Sequence, residues 1–148
     1  FFILKYSYFY TMKFIIINGP NINLLGKREP EIYGSVTFED FYTKLKVKYP
    51  NLVIDHFQSN IEGEIINKLH EVGFSYDGVI LNAAAYTHTS VGIGDAVKCI
   101  TTPVVEVHIS NIQAREEFRL RSYVAANAKG VIFGFGLKSY DLAISSFL

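Results

Sequence analysis

The chain has 148 residues, 49% of them hydrophobic and 19% charged, and its 14 Lys and Arg balance its 14 Asp and Glu. This length suits one compact domain that buries roughly 70% of its unfolded surface, so folding needs neither disulfides nor a structural metal. Zero net charge excludes a nucleic-acid binder that relies on a broad basic surface. A single cysteine, Cys99, excludes an internal disulfide and a cysteine-built zinc or iron–sulfur cage.

Six aromatic residues, Phe1, Phe2, Tyr6, Tyr8, Phe9 and Tyr10, crowd the first 11 positions ahead of the only methionine, Met12. The segment is shorter than the ~20 apolar residues a membrane span needs and lacks the small-residue cleavage site of a signal peptide. It reads as an extension upstream of a start at Met12, with an extra strand or an interfacial anchor as the alternative. Residues 12–148 read as a single domain of cytoplasmic composition.

From there β-branched runs alternate with helical patterns. The run at 14–17 predicts the first strand, and about 18 residues then separate Asn18 from Thr37. Thr37 with Asp40 three positions on predicts a capped helix that places Phe38, Phe41, Tyr42, Leu45 and Tyr49 on one stripe and stops at Pro50 and Asn51. A strand at 52–57 is followed by a helix over about 60–70 carrying Ile61, Ile65, Ile66 and Leu69, with Gly73 suited to ending it. A strand at 79–81 leads to a helix over about 89–100, halted by Pro103. The strand at 104–107 precedes a fourth helix around 114–128, and a strand at 131–133 precedes a last helix over about 139–148. Most of the strand runs are continuous rather than alternating, as expected where a sheet is covered on both faces. Five strands alternating with helices predict an α/β fold, a flavodoxin-like three-layer sandwich whose five-stranded parallel sheet has the order 2-1-3-4-5.

Ligands of such sheets bind beyond the carboxyl ends of the strands, where the strand order reverses. Three polar segments converge there: one running from Asn18 through Asn21 to Asn23, one from Asn82 through His88 to Ser90, and one from His108 through Ser110 to Asn111. The first connection far exceeds the usual two to six residues and reads as a lid or a binding loop. It carries Arg28 and, five residues on, Tyr33, a pairing that suits a phenolate base stabilised by guanidinium charge or an ordinary loop aromatic. His88 and His108 suit polarising hydroxyls or shuttling protons, or are hydrogen-bonded structural residues; His56 and His70 read as structural. One of Arg115, Arg119 and Arg121 suits a bidentate carboxylate clamp, the others being helix-face charges like Glu116 and Glu117. Arginines and helix N-termini together suit a small anion. The chain has no Walker A run, no GxGxxG after its first strand and no GxSxG elbow. Asn18 and Asn82 stand where a receiver domain needs its phosphoacceptor aspartate, and the third, fourth and fifth strands end without a lysine for a Schiff base.

The stretches NGPNINLLGKREPEIYG (18–34), QSNIEGE (58–64), NAAAYTHTS (82–90) and EVHISNIQAREEFR (106–119) closely resemble type II 3-dehydroquinate dehydratase, motif after motif from Met12 onward. The resemblance implies a lyase that reversibly dehydrates 3-dehydroquinate to 3-dehydroshikimate through an enolate, in the shikimate pathway or in quinate breakdown. It implies no cofactor, no metal and no covalent imine. On this basis Tyr33 is the base, Arg28 lowers its pKa from the same lid, His108 gives a proton to the departing hydroxyl, and Asn21 holds the water or enolate oxygen. Asn82, His88 and Arg119 match substrate-binding positions, the backbone N–H groups of Ile109 and Ser110 match carboxylate contacts, and Glu106 would orient His108. The resemblance further implies a homo-oligomer, a dodecamer built as a tetramer of trimers, in which Asp95 reaches a neighbour's site; a helix-surface charge is the alternative for Asp95. Neither nucleic acid nor membrane is an expected partner. Ala84 and Ala85 stand where members often have glycine, and residues 1–11 have no family counterpart. A flavodoxin-like binding module without catalysis is the competing reading.

Overall fold

A computed structural model describes residues 10–148 and, within them, every side chain except those of Ile32 and Tyr33. Residues 1–9 of the N-terminal extension, and with them its strand and anchor readings, lie outside the described residues.

Five strands, β1 (Lys13–Asn18), β2 (Val53–Gln58), β3 (Gly78–Asn82), β4 (Val104–His108) and β5 (Gly130–Phe133), pair in parallel in the order β2-β1-β3-β4-β5. This is the order expected from the sequence. Side chains of a strand alternate between faces, and the two faces of this sheet hold two separate cores. On one, Phe14, Ile16, Ile54 and Ile80 meet Phe38 and Leu45 of helix α2 (Phe38–Lys48) and Tyr140, Ala143 and Ile144 of helix α5 (Lys138–Ser145). On the other, Ile15, Ile17, Val79 and Leu81 meet Ile65, Leu69 and Val72 of helix α3 (Glu62–Val72) and Ile93, Ala96 and Val97 of helix α4 (Val91–Cys99). Each fully buried aliphatic or phenyl side chain contributes about 1.5–3 kcal/mol, so strands hidden on both sides must be apolar at successive positions. The three-layer sandwich explains the continuous runs.

Helix α2 begins with the expected reciprocal cap: Thr37 Oγ1 accepts from the Asp40 N–H at 3.1 Å, and Asp40 Oδ2 accepts from the Thr37 N–H at 3.4 Å. Helix α3 does stop before Gly73, but not through a left-handed glycine, because Gly73 has φ −68°. The glycine is required by a close approach instead, since a Cβ there would collide with the Ile100 side chain.

Two expectations need correction. The span 114–128 is not a helix but a chain of short 3-10 turns at Ile112–Ala114, Glu117–Leu120 and Ala125–Asn127. Ser122 Oγ accepts from the N–H groups of Val124 and Ala125, satisfying donors that a continuous helix would have used. The long first connection is also more ordered than a loop, holding a 3-10 turn at Ile22–Leu24 and one helical turn, α1 (Pro30–Tyr33). Pro30 is preset for the first turn of a helix. Among the described residues no helix is long and apolar enough to cross a membrane.

Candidate active site

β1 and β3 end in register, with Asn18 opposite Asn82. The chain leaves β1 through Gly19, whose N–H donates to the Asn82 carbonyl at 2.7 Å. A Cβ at Gly19 would lie 2.6 Å from the Ala83 carbonyl oxygen, so any other residue would lift the first connection off the sheet. A cavity of about 180 Å³ lies over the carboxyl ends of the strands, lined by residues that follow β1, β3 and β4. Asn21 and Arg28 line it from the first connection, Asn82, Ala84, Ala85 and His88 from the segment after β3, and His108, Ile109, Ser110, Arg115 and Arg119 from the end of β4 onward. Ile22, Leu25 and Ile112 add apolar wall.

Glu106 is wholly buried at the floor of this end of the sheet. Its Oε1 accepts from Thr87 Oγ1 at 2.5 Å, from His108 Nε2 at 2.7 Å and from Ser122 Oγ at 2.9 Å. Burial alone would raise its pKa, but the bonds from His108, Thr87 and Ser122 outweigh it and hold the carboxyl below its ordinary range. An ionised Glu106 accepts only, so His108 carries a proton on Nε2 and turns Nδ1 away from the carboxylate. The His88 ring lies nearly parallel to that of His108, centroids 5.9 Å apart. His88 Nδ1 faces the Arg121 carbonyl at 2.7 Å and therefore donates. Burial lowers the His88 pKa, which leaves Nε2 an acceptor suited to a ligand hydroxyl.

Two guanidinium groups supply positive charge on one side. Arg119 Nε lies 2.6 Å from Glu116 Oε2, and its guanidinium carbon lies 4.9 Å from the centre of the Phe118 ring. Arg115 donates to Ser110 Oγ at 3.3 Å, beside the strand end. On the other side Arg28 sits half-exposed with Glu29 at 3.5 Å.

Nearly all of the site residues expected from the sequence thus come together in one cavity: Asn21, Arg28, Asn82, His88, His108, Ile109, Ser110 and Arg119, with Glu106 behind His108. Two do not. Asp95 lies on the exposed face of α4 and does not line the cavity of its own chain. The side chain of Tyr33 lies outside the described residues, although its backbone closes α1 five positions after Arg28. Sequence reasoning offered Arg115 only as one of three candidate carboxylate clamps, and it gave no role to Thr87, Ser122 or Tyr140. Arg115 carried a weak signal as one of three arginines after β4, whereas the hydroxyl partners are ordinary residues until the chain is folded. Ala84 has φ 52°, a left-handed conformation that favours glycine, which gives a physical reason for glycine at this position in the family resembled.

The family model for "Dehydroquinase class II" matches residues 12–148. The chain is 53% identical over 138 residues to the 3-dehydroquinate dehydratase of an Exiguobacterium species, covering 93% of this chain and 94% of the relative. It is 51% identical over 140 residues to the 3-dehydroquinate dehydratase of Helicobacter hepaticus, covering 93% and 89%. The crystal structure of the type II dehydroquinase from Butyrivibrio crossotus superposes with a TM-score of 0.88 at 42% identity, covering 93% of this chain and 97% of that one. The match over residues 12–148, these identities and the shared fold show that the chain belongs to the class II dehydroquinase family.

Proposed function

We propose that the protein dehydrates 3-dehydroquinate to 3-dehydroshikimate by a two-step elimination run by its own side chains. Tyr33 takes a proton from the carbon beside the ketone, leaving an enolate. His108, carrying a proton on each ring nitrogen when it acts, then gives the Nδ1 proton to the hydroxyl that departs as water while its Nε2–H stays on Glu106, and the double bond forms in conjugation with the ketone. An unperturbed phenol has a pKa of about 10, so Tyr33 needs a cation beside it. Arg28 supplies that charge from the same segment, and a two-unit shift corresponds to about 2.7 kcal/mol. Glu106 acts through His108 by fixing which ring nitrogen faces the cavity. Asn21 holds the enolate oxygen or the water, Asn82 and the acceptor nitrogen of His88 take substrate hydroxyls, and Arg119 with the Ile109 and Ser110 N–H groups grips the carboxylate. In an assembly of trimers into a dodecamer, the partner subunit's Asp95 completes the site.

The observation that carries this reading is the meeting of groups from the first connection with groups from the ends of β3 and β4 in one cavity. The test follows the ultraviolet absorbance of the conjugated enone when purified protein meets 3-dehydroquinate. Turnover is expected in the wild type, and Tyr33→Phe is expected to abolish it while substrate still binds in calorimetry. No absorbance rise at high protein concentration would support the binding module instead, and normal turnover by Tyr33→Phe would remove Tyr33 from the mechanism.

A further inference from the structure

A second cavity, of about 360 Å³, lies beside the first and shares Ile22 and Leu25 as its wall. His56 of β2 lines it together with Asn18, Gln58, Lys27 and Glu39. A chain of hydrogen bonds joins His56 to the substrate cavity, and its direction follows from one group that cannot turn. The backbone N–H of Ala84 only donates, and it lies 3.1 Å from the Asn82 side-chain oxygen. Asn82 must therefore offer Nδ2 to the Tyr140 hydroxyl, 2.7 Å away. The single hydroxyl proton of Tyr140 then goes to Asn18 Oδ1 at 2.8 Å. Asn18 is left facing His56 Nε2 with its amide Nδ2 at 3.1 Å. That ring nitrogen accepts, so His56 is neutral, with its proton on Nδ1.

We propose that His56 is a positioning residue for the substrate site, its neutral ring completing a one-way relay through Asn18 and Tyr140 that fixes the amide of Asn82. Protonated His56 would set an N–H against the Asn18 amide. Turning Asn18 passes the conflict to Tyr140, then to Asn82, and finally to the Ala84 N–H, which cannot move aside. Wherever the chain breaks, a donor–donor contact or a buried O–H without an acceptor remains.

The surroundings fit this role. Tyr140 is wholly buried, and burial pushes its pKa far up, so it stays a donor. Phe38 and Tyr42 of α2 enclose the His56 ring at centroid distances of 4.4 and 5.3 Å, and burial lowers its pKa against a smaller opposing effect from Glu39. The charged groups facing it are Glu39 from α2 and Lys27 from the first connection; Asp55, its neighbour in β2, bonds to Tyr76 instead.

The proposal rests on Asn82 touching substrate, and the experiment separates the two ideas. Heteronuclear NMR of the side-chain nitrogens of the four histidines reads the relay without substrate: at about pH 7.5 His56 is expected with the proton on Nδ1, and a proton on Nε2 would overturn the relay. Steady-state kinetics then compare His56→Leu, which fills space without an acceptor, with His56→Gln, which offers a carbonyl that does not titrate. His56→Leu is expected to raise KM about tenfold with little change in kcat, and His56→Gln to restore it. In the wild type KM is expected to rise as pH falls through a value under about 6.5, and His56→Gln to show a smaller rise, the remainder coming from loss of the His88 acceptor. Equal KM values for the two variants, or an unchanged pH profile in His56→Gln, would refute the relay. Asn82→Ala run alongside shows where a failure lies: an unchanged KM removes Asn82 from the substrate and the proposal with it, whereas a raised KM with identical His56 variants refutes the relay alone.

Discussion

Replacing Glu106 by glutamine keeps the shape of a wholly buried side chain and removes its charge. In the native protein Oε1 receives Thr87 and His108 at 2.5 and 2.7 Å, with Ser122 at 2.9 Å. Hydrogen bonds to a charged acceptor contribute about 1.5–3 kcal/mol and neutral ones about 0.5–1.5, so weakening the first two costs about 1 kcal/mol each. A neutral amide is easier to bury than a carboxylate, which offsets part of this. The expected net loss is about 1–2 kcal/mol, or a fall in Tm of about 2–8 °C for a chain of this size. The pH dependence has a definite sign. Glu106 has a lowered folded-state pKa, so its stabilisation is present above the unfolded value of about 4.3 and disappears as pH falls through the folded one. The gap between wild type and Glu106→Gln measured by calorimetry should therefore be full near neutrality and shrink in acid. His108 also loses the partner that fixes its Nε2–H, and kcat in the enone assay is expected to fall at least ~10-fold, equivalent to about 1.4 kcal/mol of barrier. A variant with native Tm and native kcat at neutral pH would refute the assignment of Glu106 as the group that orients His108.

Arg28→Lys is expected to lower kcat sharply, because a point charge does not replace a planar fork beside a phenolate; wild-type turnover would remove Arg28 from the mechanism. Thr37→Ala removes the side-chain acceptor for the Asp40 N–H and should cost about 1 kcal/mol in chemical denaturation without altering kcat. Ser122→Ala deletes a donor to Glu106 and the acceptor for the Val124 and Ala125 N–H groups, so a loss of about 1–3 kcal/mol is expected. Sodium borohydride added with substrate should leave the enzyme active, since inactivation would reveal an imine that this mechanism does not contain.

The fold was largely legible because its signals are local. Unbroken runs such as Ile15, Ile16 and Ile17 follow from a sheet covered on both faces, and the Thr37 and Asp40 cap is set within four residues. The span 114–128 misled for an equally local reason: Ser122 competes for the backbone donors, and residue type alone does not say which bond is made. That Gly73 ends α3 was legible, but the close approach that requires glycine there was not, because it comes from Ile100, a neighbour only in three dimensions.

The sequence by itself determined the strand order, the end of the sheet where chemistry gathers, and most of the polar residues there, since these depend on periodicity and motif. Only the tertiary structure decided which groups answer one another. Tyr140 and Asn18 stand 122 positions apart and meet at 2.8 Å, and Thr87, Ser122 and His108 reach one carboxylate from separate segments. A hydrogen bond depends on distance and direction to within tenths of an ångström. Hydroxyls and amides that look interchangeable in a sequence therefore acquire a donor or acceptor role only when packing has fixed their neighbours.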